Sequence, residues 1–163
     1  MLTKNILEEI YINLKIQTCQ ELFEDHKCNW DCCTYSDSYI LLLPGEYESA
    51  EQLGYCFDVY NIIDHDYYGG MKIVPKEKVC TICMEDNGYK PLDCIFYPFW
   101  PIIEDNDLQI IAGSLCHLIR EEKNVTEHVN KVKQIWKHLI EDDDILLFLK
   151  NSKMVGYENY QIN

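Results

Sequence analysis

The segment Ser38-Tyr39-Ile40-Leu41-Leu42-Leu43-Pro44-Gly45 decides the fold class of this chain. Its apolar run is short and stops at Pro44-Gly45, a pair that interrupts regular structure, so the run predicts a buried strand. Similar short runs follow, rich in aromatic and β-branched residues and separated by turn residues. They predict strands at 55–63, 71–74 and 79–84, a turn at 68–70, and a hairpin in which Asn87-Gly88 leads onto 94–97.

Short strands joined by turns form an antiparallel meander more easily than parallel β-α-β units. We therefore expect a central antiparallel or mixed sheet between residues 38 and 103.

Helical periodicity marks both ends of the chain. Near the N-terminus, apolar residues recur every three or four positions from Ile6 to Leu14, and Asn5 with Glu8 predicts a capping box. In the last third, Asp107 is the predicted cap of a helix over 107–119, and Asn124 or Thr126 that of a helix reaching Ile140. The acidic run 141–144 predicts a solvated turn between helices in which Asp144 caps a final helix; the alternative is that the run adds to an acidic face. The sequence thus predicts a single α+β domain over residues 1–163, with an N-terminal helix, a central sheet and a helical C-terminal third.

The net charge of the chain limits the classes of molecule that it can bind. The chain has 163 residues, 28 acids against 14 bases, a formal charge of −14, and Arg120 as its sole arginine. Phosphate and base recognition depend heavily on arginine and on positive charge, so we expect no nucleic-acid partner. No stretch approaches the roughly 20 apolar residues of a membrane helix, so we expect no membrane partner.

The acids are concentrated in one stretch. From Cys28 to Met71 the chain has no Lys or Arg, while it has Trp30, seven tyrosines and eight carboxylates. The carboxylates are Asp31, Asp37, Glu46, Glu48, Glu51, Asp58, Asp64 and Asp66. Such a stretch attracts basic partners, and tyrosine provides contact area with a polar tip. It predicts a protein-binding face.

Six residues of this stretch are candidates for contact with the partner. Asp64, Asp66, Tyr67 and Tyr68 precede Gly69-Gly70, so we expect them on an exposed loop. Asp58 and Trp30 complete the predicted set; Trp30 lies in a break between elements.

Nine cysteines raise the question of metal or disulfide chemistry. The N-terminus lacks the basic-then-apolar pattern of a signal peptide, so we expect a cytoplasmic protein with mostly reduced thiols and no cofactor. The alternative is a single zinc ion held by Cys28, Cys32, Cys80 and Cys83, or a thiol-dependent activity at Cys80 and Cys83.

No catalytic signature accompanies these features, so we expect a protein that is not an enzyme. The leading hypothesis is an acidic cytoplasmic protein that masks a basic partner, as an immunity or antitoxin-type inhibitor masks a toxin domain such as a nuclease. Two alternatives stay open: a viral host-interaction protein, and a zinc-binding or thiol-dependent protein.

Overall fold

The computed structural model describes residues 1–13, 39–77, 88–105, 107–114, 116, 126–154 and 157–159. The helices are α1 (Lys4–Glu8, continued by a π-helical turn at Glu9–Asn13), α2 (Glu46–Gln52), α3 (Leu92–Phe96), α4 (Thr126–Leu139) and α5 (Asp143–Asn151). The strands are β1 (Ile40–Leu42), β2 (Tyr60–Tyr67), β3 (Gly70–Pro75), β4 (Phe99–Glu104), β5 (Asp107–Gly113) and β6 (Tyr157–Asn159).

The first sheet has the strand order β1-β3-β2 and is antiparallel throughout. The strand predicted at 38–43 is confirmed as β1, and all three of its residues are buried. The strand predicted at 71–74 is confirmed as β3. The strand predicted at 55–63 begins later, at Tyr60, and runs on to Tyr67. The strand predicted at 79–84 lies outside the described residues.

The second sheet has the order β4-β5-β6 and is also antiparallel. Here the prediction of a helix over 107–119 was wrong, because residues 107–113 form strand β5. Apolar residues at 108 and 111 suit a helix, but over 107–110 exposed Asp107 and Gln109 alternate with buried Leu108 and Ile110, which is the period of a strand. Pairing with β4 over the whole length of β5 decides the outcome.

Two short helices also differ from the sequence prediction. Residues 94–97 were expected as a hairpin strand, but Leu92–Phe96 is a helix that follows Pro91. Helix α2 was not predicted; it begins directly after Gly45, whose φ of 82° lets the chain turn at the end of β1.

Helices α1 and α5 are each capped by a side-chain oxygen, but by a different residue from the one that was predicted. Thr3, rather than Asn5, caps α1, because its side chain accepts a hydrogen bond from the Ile6 N–H. Asp142, rather than Asp144, caps α5 by accepting from the Asp144 and Ile145 N–H groups. The predicted helix ending near Ile140 is confirmed as α4, which begins at Thr126. The alternative cap Asn124 lies outside the described residues.

Buried side chains from both sheets and from all the helices form one hydrophobic cluster. Helix α3 lies against both β1 and β4, and so connects the two sheets. The predicted α+β class, with an N-terminal helix, central antiparallel strands and C-terminal helices, is confirmed. In the ranges that the structure describes, no helix combines the length and the apolar character needed to cross a bilayer.

Candidate protein-binding site

The turn between β2 and β3 is tight. Tyr67 pairs with Gly70, and the two residues between them, Tyr68 and Gly69, have φ angles of 54° and 83°. Positive φ at both central residues is the feature of a type I′ hairpin turn. The predicted loop was therefore wrong: Asp64, Asp66 and Tyr67 lie in strand β2, and only Tyr68 lies in the turn. We call residues 63–69 the hairpin tip.

Strand β2 is irregular next to this turn. Its pairing with β3 shifts register between Ile62 and Asp64, and again between Asp64 and Tyr67. Each shift places one extra residue on β2, which is the geometry of a β-bulge. Ile63, at the first shift, leaves 55% of its surface exposed. Bulges on an edge strand discourage pairing with another strand, so the side chains of the hairpin tip are better placed than its backbone to meet a partner.

Tyr67 packs against the body of the protein. Its ring lies 6.3 Å from the ring of Phe148 in α5 and 6.4 Å from that of Tyr39. Its hydroxyl oxygen accepts a hydrogen bond of 3.3 Å from the Lys153 N–H. The Lys153 carbonyl accepts a further bond, of 2.9 Å, from the Tyr39 hydroxyl. Tyr67 is half-buried and joins the hairpin to the segment after α5, so it is a structural residue.

Tyr68 contrasts with its neighbour. It is 52% exposed, although its ring rests 4.8 Å from that of Tyr67. The left-handed backbone costs a residue with a Cβ about 1–2 kcal/mol, and glycine, asparagine and aspartate are the usual occupants of such positions. The local backbone preference therefore does not explain a large exposed aromatic side chain at this turn.

The two acids of the hairpin tip also hold the turn in place. One oxygen of Asp66 accepts from the Gly69 N–H at 3.3 Å, and one oxygen of Asp64 accepts from the Asp66 N–H at 3.2 Å. Asp66 is exposed and Asp64 half-buried. Their charges therefore lie next to the backbone of the turn that carries Tyr68.

Asp58 belongs to a second group of acidic residues, which was not predicted from the sequence. A hydrogen bond to Glu51 raises the pKa of Tyr47, and the nearby charges of Glu51, Glu48 and Asp58 add to that effect. These three acids are exposed. We call Tyr47, Glu48, Glu51 and Asp58 the Tyr47 patch. Helix α2 contains three of its four residues, and because that helix was not predicted, the patch was not predicted either.

Glu46 is an exception to the predicted acidic face. Its side chain is fully buried, so it contributes to the interior and not to the surface. Trp30, Asp31 and Asp37 lie outside the described residues. Five of the eight predicted carboxylates thus remain available on the surface, namely Glu48, Glu51, Asp58, Asp64 and Asp66.

Lys72 is the lysine or arginine nearest to the hairpin tip along the chain. It lies opposite Asp64 across the β2–β3 pair. Its ammonium group sits 3.6 Å from the ring centroid of Tyr67 and 4.5 Å from that of Tyr39. Such cation–π contacts fix the group against the two rings.

The structure does not describe Cys28, Cys32, Cys80 or Cys83, the four residues of the predicted zinc alternative. Within the part of the chain that it describes, no three His, Cys, Asp or Glu side chains are grouped as metal ligands would be. Cys56, beside the Tyr47 patch in sequence, is an exposed free thiol. The Asp58 N–H donates to its sulfur at 3.3 Å.

Comparisons of the chain with protein-family models, with curated proteins and with solved structures find no match.

Proposed function

We propose that this chain is an acidic cytoplasmic protein that masks a basic protein partner, as an immunity or antitoxin-type inhibitor covers the active site of a toxin domain. The observation that carries the proposal is Tyr68, an exposed ring held in a left-handed turn beside Asp64 and Asp66. Folding alone favours a small polar residue or glycine at this position, so binding is the remaining reason for an aromatic one.

The chemistry of the hairpin tip fits a basic partner. Tyrosine is among the residues that contribute most to protein interfaces, and Ile63 adds exposed apolar area on the same hairpin. The carboxylates of Asp64 and Asp66 attract Lys and Arg side chains and, opposite a nuclease, occupy the places of substrate phosphates. The Tyr47 patch adds three exposed carboxylates to the negative surface of the chain.

A photo-crosslinking amino acid at position 68 tests this proposal. The matched control carries the same amino acid at position 109, because Gln109 is exposed on β5 of the other sheet. The first protein to test is the product of the gene adjacent to the one that encodes this chain. We expect a basic protein to crosslink at position 68 and not at 109, and to lose its own activity in the complex.

Salt dependence provides the second arm of the experiment. Exposed charges are screened beyond about 8 Å at physiological ionic strength, so the association rate should fall steeply as salt increases. Equal crosslinking at both positions, an acidic partner, or an association rate independent of salt would each contradict the proposal.

A further inference from the structure

Two tyrosine rings hold the charged end of the Lys72 side chain. Its ammonium group lies 3.6 Å from the ring centroid of Tyr67 and 4.5 Å from that of Tyr39. The two rings are 6.4 Å apart and inclined at 63° to each other, so they contact the ammonium group from two sides. We call Tyr39 and Tyr67 the ring pair.

The segment that follows α5 fixes the ring pair. The Tyr39 hydroxyl donates to the Lys153 carbonyl at 2.9 Å, and the Tyr67 hydroxyl accepts from the Lys153 N–H at 3.3 Å. The Tyr67 ring also packs against Phe148. Because both hydroxyls are bonded to the backbone of one residue, the rings keep their positions relative to each other and present their faces to the ammonium group.

Strand pairing offers Lys72 a different partner, which it does not take. Asp64 lies directly opposite Lys72 in the β2–β3 pair, and opposite charges at such positions attract each other. In the ranges that the structure describes, however, the ion pairs are made by other residues, and neither Asp64 nor Asp66 pairs with Lys72. Asp64 accepts from the Asp66 N–H instead, and Asp66 accepts from the Gly69 N–H.

The position of Lys72 matters for the charge of the hairpin tip. An ion pair between Lys72 and Asp64 would cancel one of the two carboxylate charges there and would occupy oxygens that a cation of the partner could use. An internal cation at the tip would also repel a basic partner. The ring pair gives the ammonium group a favourable contact away from the carboxylates.

We propose that Tyr39 and Tyr67 are positioning residues of the binding site: they hold the Lys72 ammonium group away from Asp64, and so leave the carboxylates of the hairpin tip free for Lys and Arg side chains of a basic partner. The inference rests on the proposed function, but the position of Lys72 and its effect on the tip are measurable in the free chain.

A positively charged nitroxide tests the inference without a partner. The probe is aminomethyl-PROXYL, and neutral carbamoyl-PROXYL corrects for accessibility. The ratio of the NMR relaxation enhancements that the two cause at the Asp66 and Gly69 amides measures how strongly the tip attracts cations. Tyr39→Leu removes one ring and releases Lys72. We expect this attraction to fall about twofold, because a contact ion pair cancels one carboxylate charge at the tip.

Two further substitutions separate positioning of Lys72 from support of the fold. Tyr39→Phe keeps the ring and loses only the hydroxyl bond to Lys153, so it should attract the probe as the parent chain does. The fall caused by Tyr39→Leu should disappear when both chains also carry Lys72→Met, because no ammonium group then remains to pair with Asp64. The same fall with and without Lys72 would reject the inference.

Lys153→Met is the matched control for the loss of a positive charge. Lys153 meets the ring pair through its backbone, and its side chain is exposed. We expect Tyr39→Leu to cause the same fall in chains with and without Lys153→Met. If Lys153→Met also abolishes the fall, the experiment measures the general charge of the region, and the inference is wrong.

A second measurement needs no variant. In the parent chain, the ε-methylene protons of Lys72 should show nuclear Overhauser contacts with the rings of Tyr39 and Tyr67 and an upfield ring-current shift. Ordinary shifts without such contacts would overturn the inference. Failure of crosslinking at position 68 would reject the proposed function and leave these observations unchanged, whereas an unchanged attraction in Tyr39→Leu would reject the positioning role alone.

Discussion

The hairpin between β2 and β3 turns at Tyr68, whereas the hairpin between β4 and β5 turns at Asp105. The two residues have nearly the same left-handed backbone, with φ angles of 54° and 50°. Aspartate tolerates this conformation because its short polar side chain can bond locally, and tyrosine has no such advantage. The β4–β5 pair also keeps one register from Phe99 to Glu104, whereas β2 shifts register twice. One hairpin has the residues that folding favours, and the other does not.

From this difference we infer where the proposed binding site lies. At Asp105 the turn residue and the strand register are those that folding favours. No binding role is needed to explain the β4–β5 hairpin. At Tyr68 an exposed aromatic side chain occupies a strained turn next to bulges and acids, and this departure from local preference is the reason for the proposal that the turn binds a partner.

The largest effect on the β2–β3 hairpin should come from Gly70→Ala. A Cβ at this position would lie 2.3 Å from the Leu42 carbonyl oxygen and 2.6 Å from Cε2 of Phe148. The carbonyl belongs to the backbone of β1 and cannot move aside cheaply. We expect urea unfolding to show a loss of about 3 kcal/mol or more in the free energy of unfolding.

The matched control is Gly54→Ala. Its φ of 86° strains an alanine, but no atom lies within 4 Å of the added Cβ. The cost there should be about 1 kcal/mol. Equal losses at the two positions would show that crowding against Leu42 and Phe148 is not what restricts Gly70.

Tyr67→Ala should have the next largest effect. It removes the packing of the ring against Phe148 and Tyr39 and the hydrogen bond from Lys153. We expect a loss of about 2 kcal/mol in the free energy of unfolding, which is less than for a fully buried aromatic residue. From the sequence, Tyr67 and Tyr68 were both predicted to be exposed residues that contact the partner. A thermal melt of Tyr67→Ala that matches the parent chain would refute their separation into a structural and a surface residue.

Tyr68→Asn should have the smallest effect on stability, and of opposite sign. Asparagine is preferred at this turn position, so the free energy of unfolding should increase by roughly 0.5 kcal/mol. Asp105→Asn is the control in the other hairpin, where both residues tolerate the backbone and the change should be close to zero. A clear destabilisation by Tyr68→Asn would mean that the ring supports the fold.

Much of the fold follows from the sequence, because local pattern determined it. The run at 38–43 is bounded by Pro44-Gly45, and the 3.6-residue period of α4 has no competing interpretation. Residues 107–113 were misassigned because tertiary pairing with β4 outweighed a helix-compatible spacing. Helix α2 is short and has no apolar period, so nothing in its sequence separated it from a turn.

The candidate site was predicted in part. Tyr68 and Asp66 were chosen correctly as exposed residues, but the roles of Tyr67 and Glu46 depend on contacts made far along the chain. Charge density in a sequence does not show which carboxylates are buried. Partner binding by the predicted residues stays a prediction for Trp30, Asp58, Asp64, Asp66, Tyr67 and Tyr68, of which Trp30 lies outside the described residues.

The affinity of Tyr68→Asn for the partner, measured by isothermal titration, tests the central claim most directly. If the ring is kept for binding, affinity should fall by about 2 kcal/mol, roughly thirtyfold, while the free energy of unfolding stays the same or increases. The variant keeps the turn and the neighbouring acids, so such a loss belongs to the ring. An affinity equal to that of the parent chain would contradict the account, because Tyr68 would then have no role outside the fold.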